Sequence, residues 1–136
     1  MIIGYTQGTY DMFHIGHLNL IRNAKAQCDY LIVGVNSDEL VKSYKNKVAI
    51  MPLQERMDII GSIRFVDEVV ACDTLDKTKM HEKLHFDKLF IGDDWKGNDR
   101  WKRTEEEMKA LGAEVVYLPH TEGTSSTMLR EKLNEY

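Results

Sequence analysis

Two histidines, His14 and His17, stand three residues apart in the stretch Gly8-Thr-Tyr-Asp-Met-Phe-His-Ile-Gly-His17. Side chains at that spacing on a helix are neighbours on one face. Two imidazoles placed so could donate hydrogen bonds to a single group. The stretch follows an apolar opening, Met1 to Ile3, that reads as a first strand. It runs on into Leu18, Leu20, Ile21 and Ala24, whose spacing suits an amphipathic helix. A strand-to-helix junction aims the unpaired N–H groups of the first helical turn, with the positive end of the helix dipole, out of the sheet edge. That arrangement suits an anion such as phosphate. Gly8 lets the backbone approach a ligand closely, and Gly16 is expected to leave room for a ligand atom against the turn. A histidine pair alone is equally an ordinary surface or packing feature. The glycine before it, the helix after it and the first-strand position favour a phosphate-handling site.

Four other stretches carry residues of the same chemical interest. Lys42, Lys45 and Lys47 lie at the end of a short helix over Ser37 to Tyr44, capped by Ser37, and in the loop after it, from which ammonium groups reach either a phosphate or solvent. Arg56 and Arg64 lie off the apolar stripe Leu53, Met57, Ile60 and Ile63 of a helix opened by Pro52, and read as surface charges or anion contacts. Gly92-Asp-Asp-Trp-Lys-Gly97 ends a buried strand with two carboxylates and an indole. Such a turn can bind a cation, read a base edge through an acceptor and offer a stacking face, or be a plain Asx turn with a packing tryptophan. Pro119-His-Thr-Glu-Gly-Thr-Ser-Ser-Thr127 reads as a second anion cradle or as a helix capped by Ser125 or Ser126.

The elements that position these residues alternate along the chain. Strands are predicted at Tyr30–Asn36, Phe65–Cys72, Lys88–Gly92 and Glu114–Leu118. Between them lie a polar connection with a short helix over Asp73 to Leu84, and a charged helix from Arg103 to Leu111 that Gly112 ends. With the opening strand this predicts one α/β domain over residues 1–136. Its centre is a Rossmann-like, doubly wound, parallel five-stranded sheet with helices on both faces. Ligands of such sheets bind beyond the carboxyl ends of the strands. The histidine stretch, the Asp-Asp-Trp turn and the hydroxyl-rich segment would all meet on that edge.

Composition narrows the classes further. In 136 residues, 18 Lys and Arg stand against 22 Asp and Glu, a formal net charge of −4. That balance argues against a polybasic nucleic-acid binder. Cys28 and Cys72 have neither the spacing nor the companions of a metal or disulfide framework, and both read as core thiols. His14 and His17 have no obvious third ligand nearby for zinc. No apolar run approaches the ~20 residues of a membrane span, and the opening is too short for a signal peptide. A cytoplasmic protein without membrane or nucleic-acid partners is expected.

The residues Gly8 to His17, Arg64-Phe-Val-Asp-Glu-Val69, Gly92-Asp-Asp-Trp95 and Thr121-Glu-Gly-Thr-Ser-Ser-Thr127 together resemble the cytidylyltransferase family, within it the small glycerol-3-phosphate cytidylyltransferases. The likeness covers almost the whole chain. It implies transfer of CMP from CTP to a phosphorylated alcohol, with Mg²⁺ bridging the phosphates and a homodimer as the assembly. It further implies catalytic roles for His14, His17, Lys45, Lys47 and Arg64. Nucleotide contacts would come from Gly8, Thr9, Tyr10, Asp94, Trp95, His120, Thr121, Ser125, Ser126 and Thr127. Asp94 would accept from the cytosine amino group. The family generally carries Arg at the position of His120, and imidazole cannot make the bidentate phosphate fork of guanidinium. Arg100 or Arg103 could compensate from a neighbouring loop. Glycerol 3-phosphate is the expected acceptor. Ethanolamine phosphate, choline phosphate, a sugar phosphate, ATP in place of CTP, and a non-catalytic nucleotide-binding module are the competing readings.

Overall fold

The computed structural model describes residues 1–45, 47–121 and 126–134, with residues 126–128 and 130 as backbone. In chain order the strands are β1 (Ile3–Gly8), β2 (Tyr30–Asn36), β3 (Glu68–Cys72), β4 (Lys88–Gly92) and β5 (Glu114–Leu118). The helices are α1 (Ile15–Lys25), α2 (Asp38–Lys45), α3 (Leu53–Gly61), α4 (Lys77–Leu84), α5 (Asp99–Ala110) and α6 (Ser126–Asn134), with a 3-10 turn over Asp93–Trp95. The five strands form one parallel sheet in the order β3-β2-β1-β4-β5. This is the doubly wound arrangement expected from the alternation of elements.

Alternation along β2 shows how the sheet is covered. Leu31, Val33 and Val35 point to one face, where they pack with Ile21 and Ala24 of α1 and Ile60 of α3. Ile32 points to the other face and packs with Tyr5, Leu89, and Trp101 and Met108 of α5. Both faces are apolar because each carries helices, which is why β2 reads as an unbroken apolar run.

Several boundaries differ from the sequence expectation. β1 covers Ile3–Gly8 rather than Met1 to Ile3. Thr6 and Gln7 belong to it because partners across the sheet edge satisfy them: Thr6 Oγ1 donates to the Phe90 carbonyl at 3.0 Å, and Gln7 Nε2 to Asn36 Oδ1 at 2.9 Å. β3 begins at Glu68, not Phe65. Phe65 and Val66 instead pack half-buried under α1 and α3, and the Asp67 carboxylate receives the Leu31 N–H and the Lys25 ammonium. α5 starts at Asp99, not Arg103. Asn98 caps it by accepting from the Arg100 N–H at 2.9 Å, and Trp101 is buried as its anchor in the core. Pro52 is the N-cap of α3, just outside the helix, with extended backbone.

The sheet parts at its centre. β1 and β4 pair only at Gly4↔Lys88 and Tyr5↔Leu89, although β1 continues to Gly8 and β4 to Gly92. Beyond Tyr5 the Thr6 hydroxyl spans the gap to Phe90. This is the point where the strand order reverses, and the separated carboxyl ends open a crevice there.

Candidate active site

The floor of the crevice is the start of α1. His14 is its N-cap, in extended conformation, and its Nδ1 accepts from the Gly16 N–H at 3.0 Å. The His17 Nδ1 in turn accepts from the His14 N–H at 3.2 Å. The pair therefore cap the helix reciprocally, in the manner of a capping box. A backbone N–H can only donate, so each Nδ1 is an acceptor and each neutral ring carries its proton on Nε2. The rings stack with centroids 3.9 Å apart. Burial lowers the pKa of His14. That of His17 is pushed down to about 4, by burial first and then by His14 and Lys45, with Asp11 opposing. At neutral pH the site thus presents two neutral N–H donors.

Gly16 has a different purpose from the one its sequence position suggested. A Cβ there would lie 2.8 Å from His14 Cε1, so the space above it is filled by the imidazole rather than kept for a ligand. Gly8 similarly makes way for the Tyr10 ring, which a Cβ would meet at 3.1 Å. Tyr10 and Met12 both have left-handed backbone, with φ of 55° and 51°. Non-glycine residues in that region carry strain that surrounding structure must hold in place.

Arg56 supplies much of that hold. It is fully buried, which corrects its reading as a surface charge or anion contact. Its Nη1 donates to the carbonyls of Thr9 and Asn36, both at 2.8 Å, its Nε to Met51 at 2.9 Å, and its Nη2 pairs with Asp38 at 2.5 Å. One guanidinium thereby ties the turn after β1 to the end of β2 and the approach to α3. The buried Asp11 carboxylate adds a second tie, receiving the N–H groups of Ile50 and Met51 at 2.8 and 2.9 Å.

The resulting cleft encloses about 430 Å³. It brings together Gly8, Thr9, Tyr10, His14, His17, Lys45, Asp94, Trp95, His120 and Thr121 of the sequence-derived candidates. Asn19 Nδ2 holds the Thr121 hydroxyl at 2.9 Å, drawing the segment after β5 towards α1. Lys47 and Arg64 are not among the lining residues, and the Arg64 guanidinium lies over the Phe65 ring. Ser125, and the side chains of Ser126 and Thr127, lie outside the described residues. The two carboxylates after β4 divide: Asp94 lines the cleft with Trp95, whereas Asp93 Oδ1 binds His120 Nδ1 at 2.7 Å. That bond holds the Asp93 carboxyl below the usual carboxylate range. Arg100 and Arg103 line a separate cavity of about 360 Å³ with Lys77, so they do not stand in for arginine at position 120.

Four lining residues were not singled out from the sequence: Thr6, Gln7, Leu20 and Ile91. Leu20 falls one helical turn after His17, and Gln7 shares a strand face with Tyr5, so each carried a periodicity signal.

A doubly wound parallel sheet whose switch-point crevice is floored by a histidine-capped helix defines an α/β protein of the Rossmann-like, nucleotide-handling class. The chain belongs to the cytidylyltransferase-like family, whose model matches residues 5–132. It is 36% identical over 129 residues to the glycerol-3-phosphate cytidylyltransferase of Bacillus subtilis (strain 168), covering 94% of each chain. It is 37% identical over 139 residues to the ethanolamine-phosphate cytidylyltransferase of Dictyostelium discoideum, covering 95% of this chain and 37% of that one. In fold it is similar to the lipopolysaccharide core biosynthesis protein from Thermoplasma volcanium GSS1. That crystal structure matches with a TM-score of 0.79 at 22% identity, over 90% of this chain and 99% of the other.

Proposed function

We propose that the protein transfers CMP from CTP to glycerol 3-phosphate, giving CDP-glycerol and pyrophosphate. The observation that carries this reading is the pair of neutral Nε2–H donors at the start of α1, beside Lys45, in a cleft whose other wall offers Asp94 and Trp95. The relatives named glycerol-3-phosphate cytidylyltransferase support glycerol 3-phosphate as the acceptor. A phosphate oxygen of the acceptor attacks the α-phosphorus of CTP in line. The new O–P bond forms as the bond to the β-phosphate oxygen breaks, and pyrophosphate leaves. Such a transfer needs alignment and stabilisation of charge more than covalent participation by the protein. His14 and His17 donate to phosphate oxygens on which charge builds, and because their hydrogens are held by the capping geometry they need no reorganisation as it does. Asp94 accepts from the cytosine amino group and Trp95 offers the ring face. Lys47, Arg64, Ser125, Ser126 and Thr127 complete the phosphate contacts when the nucleotide is bound.

Mg²⁺ fits this cleft as an ion that arrives with the nucleotide. Among the described residues Lys45 is the one lysine or arginine lining the cleft, well short of the charge on a triphosphate, and no cluster of three carboxylate, histidine or cysteine ligands is present. Phosphate oxygens and water suit Mg²⁺, which would neutralise the remaining charge. We further propose a cytoplasmic homodimer; among the described residues no helix is long and apolar enough to cross a membrane. The Dictyostelium relative favours a second reading, in which ethanolamine phosphate is the acceptor. Pyrophosphate release from CTP and Mg²⁺ with glycerol 3-phosphate, ethanolamine phosphate, choline phosphate, or no acceptor separates the two. Turnover with glycerol 3-phosphate alone supports the first reading. Turnover with ethanolamine phosphate alone selects the second, and binding of CTP without turnover on any acceptor overturns both.

A further inference from the structure

A chain of partly buried hydrogen bonds runs from the segment after β3 to the turn after β1, and its polarity can be read from one end as far as Asn36. Gln7 Nε2 lies 2.9 Å from the carbonyl of Thr74, an atom that can only accept. The Gln7 amide is therefore fixed, and its oxygen receives the Tyr5 hydroxyl at 2.8 Å. The same Nε2 donates to Asn36 at 2.9 Å, so the Asn36 atom facing it is the oxygen. The Asn36 amide nitrogen consequently faces the other way, 3.1 Å from the Tyr44 hydroxyl and 3.4 Å from Thr9 Oγ1. Asn36 is 3% exposed, and the Gln7 donor facing its side-chain oxygen opposes a turnover of the amide. Tyr44 and Thr9 lie 3.0 Å apart. The Asn36 amide nitrogen lies nearer the Tyr44 oxygen than the Thr9 oxygen, and accepting that bond strengthens the phenol as a donor. Either hydroxyl can donate across that pair; with Tyr44 as the donor, the Thr9 hydrogen is left for the cleft that Thr9 lines.

We propose that Tyr44 is a positioning residue that fixes the Thr9 hydroxyl as a hydrogen-bond donor towards a phosphate oxygen of the bound nucleotide. The proposal rests on the nucleotide reading above and goes beyond it, since Tyr44 does not line the cleft. It also gives α2 a second task. The Lys45 ammonium lies 5.7 Å from the Tyr44 ring centroid, so the tyrosine that orients Thr9 also steadies the lysine that follows it.

Calorimetric dissociation constants for CTP, ATP and inorganic pyrophosphate, with KM and kcat where turnover occurs, test this on five variants: Tyr44→Phe, Thr9→Val, Thr9→Ser, and the doubles of Tyr44→Phe with Thr9→Val and with Thr9→Ser. Losing a hydrogen bond to a charged group weakens binding by roughly tenfold or more, so Thr9→Val is expected to show that loss for all three polyphosphates. Tyr44→Phe is expected to weaken them by about three- to tenfold, and to raise KM for the nucleotide more than it lowers kcat. Adding Tyr44→Phe to Thr9→Val should cost nothing further, whereas adding it to Thr9→Ser, which keeps the hydroxyl, should cost the full factor. Unchanged binding by Tyr44→Phe overturns the proposal. So do losses that multiply in the double with Thr9→Val, and so does a wild-type protein that binds none of the three. Polyphosphate binding that shows the coupling without any turnover of CTP would instead sink the proposed reaction and leave the Tyr44 assignment standing.

Discussion

His17 should make the fold sensitive to mild acid, by an amount that follows from its surroundings. Its Nδ1 accepts from the His14 N–H, and its ring is enclosed by Tyr10, Phe13 and His14. Protonation must either charge a desolvated ring or unseat the cap of α1, because a protonated Nδ1 cannot accept. The folded pKa is about 4, against an ordinary 6.5. The unfolded chain therefore binds the proton first as pH falls. Stability drops from about pH 6.5 downward and goes on dropping until the folded value is reached, with none of this loss present above pH 7. Between pH 7 and pH 4.5 the linkage amounts to roughly 2 kcal/mol. Carboxylates such as Asp67 and Asp76, whose pKa values are lowered, add their own acid lability, so a difference measurement is needed. Urea unfolding of the wild type and of His17→Asn, at half-unit steps over this range, supplies it. Asparagine keeps an acceptor for the cap and removes the titration. The variant's curve should be flatter by about 2 kcal/mol. Parallel curves would refute the assignment of a buried, neutral His17.

Three other perturbations probe the frame around the site. Arg56→Lys leaves at least part of the Thr9, Asn36 and Met51 carbonyl set without a donor; we expect a loss of about 3 kcal/mol in urea unfolding, with Asp38, half exposed, contributing little of it. Gly16→Ala places a Cβ 2.8 Å from the His14 ring and should lower kcat by about ten- to a hundredfold, with far-ultraviolet circular dichroism unchanged. Lys77 has its pKa lowered to about 8 by burial first and then by Arg100, so the folded state gives up its proton before the unfolded chain does. Stability should rise between pH 8 and pH 10, and Lys77→Met should be the more stable protein by roughly 1 kcal/mol or more at pH 7, with the gap closing over that interval in thermal melts.

What could be read from the sequence was what local periodicity and local spacing control. β2, β4 and β5 lie where their apolar runs put them, and His14 and His17 are ring-on-ring neighbours because one helical turn separates them. Residues whose environment depends on distant segments were not legible. Arg56 looks like any helix-surface arginine until carbonyls from Thr9, Asn36 and Met51 converge on it. Thr6 and Gln7 look too polar for a strand until Phe90, Asn36 and Thr74 satisfy them. The start of α5 was hidden for another reason: Trp101, its buried anchor, is a single aromatic among charges, although Asn98 before Asp99 is a helix-cap pattern that marks the true boundary. Lys45 and Lys47 show the limit at the end of α2, since two residues of spacing separate a lysine that lines the cleft from one that does not.

The narrow seam between β1 and β4 also divides responsibilities within the sheet. On one side, β1, β2 and β3 carry the histidine cap, the Arg56 ties and Lys45; on the other, β4 and β5 carry Asp94, Trp95, His120 and Thr121. Among the described residues, two strand pairs, the Ile3–Asp87 bonds at one end and the Thr6 hydroxyl at the other join β1 to β4. A loop after β4 or β5 can therefore lengthen, shorten or exchange a side chain without shifting the register of the strands that hold the histidines. On the proposed reading, the donors to phosphate and the groups that face the base are built on separate halves, and the seam would let one drift while the other stays fixed.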